Sequence, residues 1–404
     1  MSDEAASVSA SAAARTDGDG DGHDGGRIHD VAVVGAGSVG LLLACLLARR
    51  GLDVVVLERR PTPPPPTASS RAIGIHPPGL RALDVAGIGD EVRRRAVEIR
   101  DGRVTCEGRT LGAMRFPNAG LVRSLPQREV EAMLEDRLAT APSVRMRRGV
   151  EVSTIRDRGT HVVVRGTSAG ESVGVAARYA VGADGVRSGI RSLMGADWHR
   201  RGGRASYVMC DTVDDTDARQ SALLHFEPAG VVESFPMPGG RRRWVAWVRR
   251  PPTELDATAM ATIVATRTGA AFSTDGAGAP TAFEAAQHLA RPIAAGRVAL
   301  VGDAAHEISP IGGQGMNLGW IDAVHLDREL ARALAAGAPI DVFEAYDRSR
   351  RAAALRATRQ AAFNMRMGAP ASGLRLRTRN AAVRVLALPG LRGVLARAFT
   401  MQWL

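Results

Sequence analysis

The chain has 404 residues, 45% of them hydrophobic, and a net charge of +11. That size and apolar content suffice for a large core shared by two interleaved regions. Three scattered cysteines, Cys45, Cys106 and Cys210, argue against a disulfide framework or a metal site, and with no lysine among the 53 basic residues, Schiff-base, Walker-type and PLP-lysine chemistry are excluded.

Residues 1–26 form a tail of Ala, Ser, Gly and Asp that reads as disordered. Asp17-x-Asp19-x-Asp21-Gly22 imitates a calcium loop, but Ile28 stands where a bidentate glutamate is required. The tail has no apolar core like that of a signal peptide, and no run is long enough to span a membrane. A cytoplasmic location is the expectation, with membrane association at most peripheral.

Val31 to Val34 has the composition of a buried parallel strand. Gly35 allows a tight turn, Gly37 leaves room for a pyrophosphate, and Gly40 lets the next helix, Leu41 to Arg50, pack on the sheet. Cys45 lies within that helix and reads as a small apolar packing residue. A second strand, Val54 to Leu57, ends in Glu58, eighteen residues past Gly40 and suited to a ribose hydroxyl. This motif alone serves NAD and FAD equally.

After a proline loop, Pro61 to Pro66, Pro78 to Ala86 reads as a short helix and Arg103 to Phe116 as strands. Gln127 precedes a helix from Glu129 to Leu138, and Val144 to Ala180 holds several strands with glycine turns. Gly182-Ala183-Asp184-Gly185, followed by Arg187-Ser188, is the second glycine motif. From Ser206 to Arg249 a strand-rich block contains a hairpin, with Trp244, Ala246 and Val248 on one face and Val245, Trp247 and Arg249 on the other. His225 interrupts an apolar strand and is the candidate catalytic base, with Tyr207 of similar standing. A structural histidine is the alternative reading.

Arg297 to Val301 is another apolar strand, running into Gly302-Asp303 and His306. An acid at the carboxyl end of such a strand sits where doubly wound sheets bind ligands. Pro310 to Asn317 then forms a glycine-rich turn opening a helix from about Leu318 to Leu334. Its N–H groups and helix N-terminus suit the electron-rich edge of a reduced flavin, which favours FAD.

With these motifs in order, the chain from about Ile28 to Tyr346 resembles the class A flavin-dependent monooxygenases of the para-hydroxybenzoate hydroxylase type. The resemblance implies an α/β fold, with a Rossmann-like FAD-binding domain interleaved with a β-sheet substrate domain and a helical C-terminus. It implies that Gly35, Gly37, Gly40, Glu58 and Arg59 hold the ADP half of FAD. Arg71 would lie near the pyrophosphate and nicotinamide, Gln127 by the ribityl chain, and Asp184 at FAD and NAD(P)H. Gly302 and Asp303 would meet the ribityl chain, and Gly313, Gln314, Gly315, Met316 and Asn317 the flavin ring. Pro310 would stand beside the face that reacts with O2, Phe235 to Pro238 would lie nearest the ring, and one tryptophan would line an aromatic pocket or pack within the sheet. His306 would brace the flavin loop. The implied reaction is hydroxylation of a phenol, polyketide or phenolic lipid by a C4a-hydroperoxyflavin, with NAD(P)H as electron donor. A same-fold reductase of lipid double bonds is the alternative. A halogenase is less favoured, because Trp244-Val-Ala-Trp247 has the wrong spacing and lysine is absent.

The organisation expected is a tail (1–26), an FAD-binding region in three parts (27–95, 126–204, 291–345), a substrate region in two (96–125, 205–290) and basic C-terminal helices (346–404). Residues 348–404 carry twelve arginines and no acidic residue. They read as docked helices with a solvated arginine face, with peripheral contact to an anionic membrane as the alternative. No nucleic-acid motif accompanies the charge.

Overall fold

The structure is a computed structural model that describes residues 26–65, 72–116, 120–337, 342–388 and 401. The expectations for the N-terminal tail before Gly26, for Arg71 and for most of 389–404 fall outside the described residues.

The β-branched run Ile28–Val34 lies inside a mainly parallel sheet. Glu171–Gly182 flanks it on one side and Val54–Glu58 on the other, with Val34 level with both Gly182 and Leu57. Val298–Leu300 follows beyond Glu171–Gly182, with Leu300 level with Gly182. Four adjacent parallel strands therefore end together, and their carboxyl ends carry Gly302-Asp303, Ala183-Asp184, Gly35-x-Gly37 and Glu58. A doubly wound sheet binds its ligand outside those ends.

The helix Ser38–Arg49 starts three residues earlier than its sequence pattern suggested. Leu41, Leu42, Leu43 and Leu47 are all fully buried, so the helix is apolar all round. It is enclosed by the sheet and by the helices Gln127–Ala139 and Gln314–Ala336.

A second sheet of seven strands runs in the order Thr281–Ala285, Ala205–Val213, Arg241–Val248, Gly230–Met237, Ser221–Glu227, Asp101–Cys106 and Arg109–Arg115. Alternation divides its side chains between two faces. Val208, Cys210, Val232, Trp244, Ala246 and Val248 form one face, covered by Met260 and Val264 of the helix Ala257–Thr268. Met209, Leu224, Glu233, Phe235, Val245 and Phe283 lie on the opposite face, which looks toward the parallel sheet.

The long helix begins at Gln314, not near Leu318. Gly313, at φ +67°, ends the turn in the left-handed region, so Gln314 to Asn317 form the first helical turn. The helix Val342–Gly368 docks against it and buries Ala353, Ala354, Ala357 and Ala361 nearby. Two arginines of the basic stretch are held inside. Arg350 Nε donates to Asp322 Oδ1 at 2.6 Å, and buried Arg379 donates to the carbonyls of Phe226, Met367 and Ala369. The solvated arginine face is thus only part of this segment. No helix among the described residues is long and apolar enough to cross a membrane.

Candidate active site

Two cavities, of about 390 and 410 Å³, open around the ends of the parallel strands. Both are lined by Gly37, Gln127, Arg128, Ala183 and Gly185, so they meet at the glycine turn. The first holds Gly35, Glu58, Arg59, Asp184 and Arg187. The second lies between the two sheets, with Asp303, Pro310 and Gly312 on one wall and Phe235 and Phe283 on the other.

The glycines of the first motif have separate physical roles. A Cβ on Gly35 would lie 2.4 Å from the Ala183 carbonyl, and φ is +107° there. At Gly40 it would lie 2.0 Å from the Gly35 carbonyl, so that glycine packs helix on strand and lines neither cavity. At Gly37 it would meet nothing within 4 Å. The bare backbone at Gly37 faces open space at the N-terminus of a helix, the setting in which phosphate binds.

Glu58 Oε2 accepts the Ala36 N–H at 2.7 Å, and Oε1 accepts Arg60 Nε at 2.8 Å. Burial opposes its ionisation, but Arg60 and the Ala36 amide outweigh that and hold it below the usual carboxylate range. Gln127 Nε2 donates to Glu131 Oε1 at 2.8 Å. The same Glu131 carboxylate accepts the Ser38 N–H at 3.1 Å and pairs with Arg128. Asp184 accepts from Ser188 Oγ at 2.5 Å and the Ile190 N–H at 3.1 Å. Its carboxylate anchors the turn, while the neighbouring Gly185 leaves open space facing both cavities. Arg60, Arg128 and Glu131 were not singled out from sequence, although all three lie beside residues that were.

In the second cavity, Asp303, Pro310, Gly313, Gly315 and Met316 line one wall, as the motif suggested. Gly302, Gln314 and Asn317 do not line it. Gly302 is at φ +62°, and a Cβ there would lie 3.0 Å from Val39. Asn317 ties two loops together: its Oδ1 accepts the His76 N–H at 2.9 Å, and its Nδ2 donates to the carbonyls of Gly74 and Gly313. His306 is fully buried and bound through Nε2 to Asp322, so it braces the loop.

His225 requires correction. It sits between Leu224 and Phe226, on the sheet face turned away from the cavity. Its ring stacks near Trp244, and Nδ1 lies 2.8 Å from Thr105 Oγ1. Burial, with Arg103 and Arg242 nearby, pushes it down to about 4, so it is a neutral structural histidine. Tyr207 is fully buried and does not line the cavity, and neither Trp244 nor Trp247 does so. Two titratable lining residues that the sequence reading did not single out stand near Pro310 and in the sheet wall. His76 reaches the Gly312 carbonyl at 3.2 Å, and Glu233 stands in the sheet wall.

The residues fit FAD: open space before two bare glycines, a helix N-terminus, a carboxylate at the next strand end, and a second chamber behind them large enough for a planar ring. Gly37 and Glu58 would suit the ADP half, Gln127 at the junction of the two cavities the ribityl chain, and the wall from Pro310 to Met316 the ring.

Residues 29–361 match the family described as an FAD binding domain. Among curated relatives, the 12-dehydrotetracycline 5-monooxygenase/anhydrotetracycline 6-monooxygenase of Streptomyces rimosus is 32% identical over 355 residues, covering 82% of this chain and 69% of that protein. The dialkyldecalin synthase of Streptomyces rugosporus is 30% identical over 340 residues, covering 81% of this chain and 70% of that one. The crystal structure of p-nitrophenol 4-monooxygenase from Pseudomonas putida superposes with a TM-score of 0.83 at 25% identity, covering 92% of this chain and 98% of the other. With the strand ends, the two cavities and these relatives in agreement, the chain belongs to the class A flavin monooxygenases and is an FAD-dependent aromatic monooxygenase that draws its electrons from NAD(P)H.

Proposed function

We propose that the substrate is a hydroxyl-bearing aromatic without a carboxylate, a phenol or a fused phenolic such as a polyketide. The observation that carries this is the wall facing Pro310. Met209, Leu224, Phe235, Val245 and Phe283 make it apolar and partly aromatic. Both arginines that line the cavity are already paired, Arg128 with Glu131 and Arg243 with Asp211 at 2.6 and 2.7 Å. Among the described residues, no arginine there is left to recognise an anionic substituent.

Bound FAD, reduced by NAD(P)H, supplies the activated oxygen atom for transfer to the ring. The chain's own residues do the rest. Gly37 and Gly185 leave room for the cofactor, and Asp303 and the turn before Gln314 border it. The Asn317 bonds fix that turn to the strand at Gly74. The apolar sheet wall orients a flat ring and keeps water from the reacting atoms. The helix Gly373–Leu386, with exposed Arg375, Arg377 and Arg384 beside exposed Leu374 and Val385, supports a peripheral contact with anionic membrane.

The test is NADH and NADPH oxidation by the FAD-loaded enzyme with a panel of phenols, carboxylated phenols and phenolic lipids, the last with and without anionic vesicles. Product is examined for oxygen from labelled O2. Phenol-stimulated oxidation with label in the product is expected. Product without label would move the chain away from oxygen transfer, toward a synthase activity of the kind named for the Streptomyces rugosporus relative or toward a reductase.

A further inference from the structure

Glu233 is buried to 6% exposure at the middle of the strand Gly230–Met237, on the face that lines the cavity. Its cross-strand neighbours are Leu224 on one side and Val245 on the other, both apolar. No residue among those described hydrogen-bonds its carboxyl. A buried carboxyl in that setting is costly unless something completes it. Burial pushes it up to about 7, which leaves it able to exchange a proton near neutrality.

The charged and titratable groups around it are otherwise engaged. Arg243 is held by Asp211, and Arg242, on the opposite face, by Asp214 and Ser234. Glu98 and Arg123, from the short strands packed on this one, pair with each other at 3.0 Å. Tyr207, on the strand beyond Arg241–Val248, is held in its neutral form by burial and by the Glu233 charge, and makes no hydrogen bond to Glu233. Glu233 is therefore an acid–base group in the cavity wall with no internal duty.

We infer that Glu233 is a catalytic residue that accepts the hydroxyl proton of the aromatic substrate. The substrate O–H bond breaks, an O–H bond forms on the Glu233 carboxylate, and the electron pair stays on the substrate oxygen. The ring thereby becomes more electron-rich before it receives oxygen, and no oxidant or reductant is needed for this step. The same geometry sets specificity. A neutral phenol brings the proton that Glu233 lacks, whereas a carboxylate or a ready-made phenolate meets a like charge in an apolar wall. This inference rests on the monooxygenase reading and names the group that selects its substrate.

The test compares wild type, Glu233→Gln and Glu233→Asp as FAD-loaded enzymes with two probes at alkaline pH. One is a weakly acidic phenol such as 2-naphthol; the other is 4-nitrophenol, already ionised there. With 2-naphthol, Glu233→Gln should lose about 10²-fold in kcat/KM, together with the rise of the pH profile through about 7. With 4-nitrophenol the same variant should equal or exceed wild type, because the like charge is gone. Glu233→Asp, which keeps the acid, should recover part of the 2-naphthol rate, and FAD affinity should not change in either variant. A merely structural glutamate would depress both probes alike, and that result would overturn the assignment. Equal rates and equal pH profiles in wild type and Glu233→Gln would overturn it too, while leaving the monooxygenase reading intact. If no hydroxyl-bearing aromatic stimulated the wild type, both would fall together.

Discussion

Replacing Gly37 by valine separates a glycine that shapes the fold from one that makes room for a ligand. Gly37 has φ −83° and ψ 178°, extended backbone that any residue adopts, and a Cβ there meets nothing within 4 Å. Gly37→Val therefore removes no packing, and replacing glycine at a helix N-cap costs about 1 kcal/mol or less. Both cavities meet at this position, so the new side chain stands on the path of the pyrophosphate. Displacing two charge-assisted N–H contacts, each worth about 1.5–3 kcal/mol, weakens FAD binding by about 10²- to 10⁴-fold. Gly40→Ala should behave in the opposite way, because its Cβ would lie 2.0 Å from a backbone carbonyl and the fold itself would suffer. The assay is FAD titration of the apoprotein by flavin fluorescence, beside thermal unfolding of the same apoprotein. A Gly37→Val protein that kept wild-type FAD affinity would refute the placement of the cofactor across this turn.

Asp322→Asn should cost about 3–5 kcal/mol, because it leaves Arg350 buried beside a neutral partner; denaturant unfolding measures it. Burial disfavours the Asp322 charge, but Arg350 and His306 together hold its ionisation below the ordinary value of 3.8. The difference from wild type is therefore full at pH above that value and closes only as pH falls through the lower folded-state range. A deficit that did not close as the pH fell would refute this reading of the Asp322 charge. His225→Gln, which preserves a partner for Thr105, should leave kcat/KM within about twofold of wild type. A loss beyond about 30-fold with unchanged unfolding would return His225 to the chemistry.

The cofactor half of the molecule was legible in the sequence because its requirements are local. Gly35 needs a positive φ, Gly37 leaves open space at a helix N-terminus, and Glu58 and Asp303 stand at strand ends; each follows from a few consecutive residues. The alternation that placed Trp244, Ala246 and Val248 on one face is equally local and agrees with the structure. The start of the long helix was misjudged by four residues, because Gly313 rather than the last glycine of the motif terminates the turn. The His306–Asp322–Arg350 brace joins three segments distant in sequence, and no spacing rule reveals it.

His225 and Glu233 show where local reading fails. Each is a titratable residue in a mostly apolar strand, and period-two alternation says only that residues one apart face opposite ways. It does not say which face meets the cavity. That is decided by the helix Ala257–Thr268, which covers the side bearing Trp244 and takes His225 with it. Glu233, level with Leu224 across the ladder, is left on the other side. Relatives of this fold include both monooxygenases and a dialkyldecalin synthase. The strand ends beside the glycine turn and the sheet wall opposite them are two surfaces that face each other across the cavity. Chemistry can change through substitutions in that wall without disturbing the cofactor turn. In this chain the wall offers aromatic and aliphatic surface, an arginine already neutralised, and one unpartnered carboxyl at Glu233.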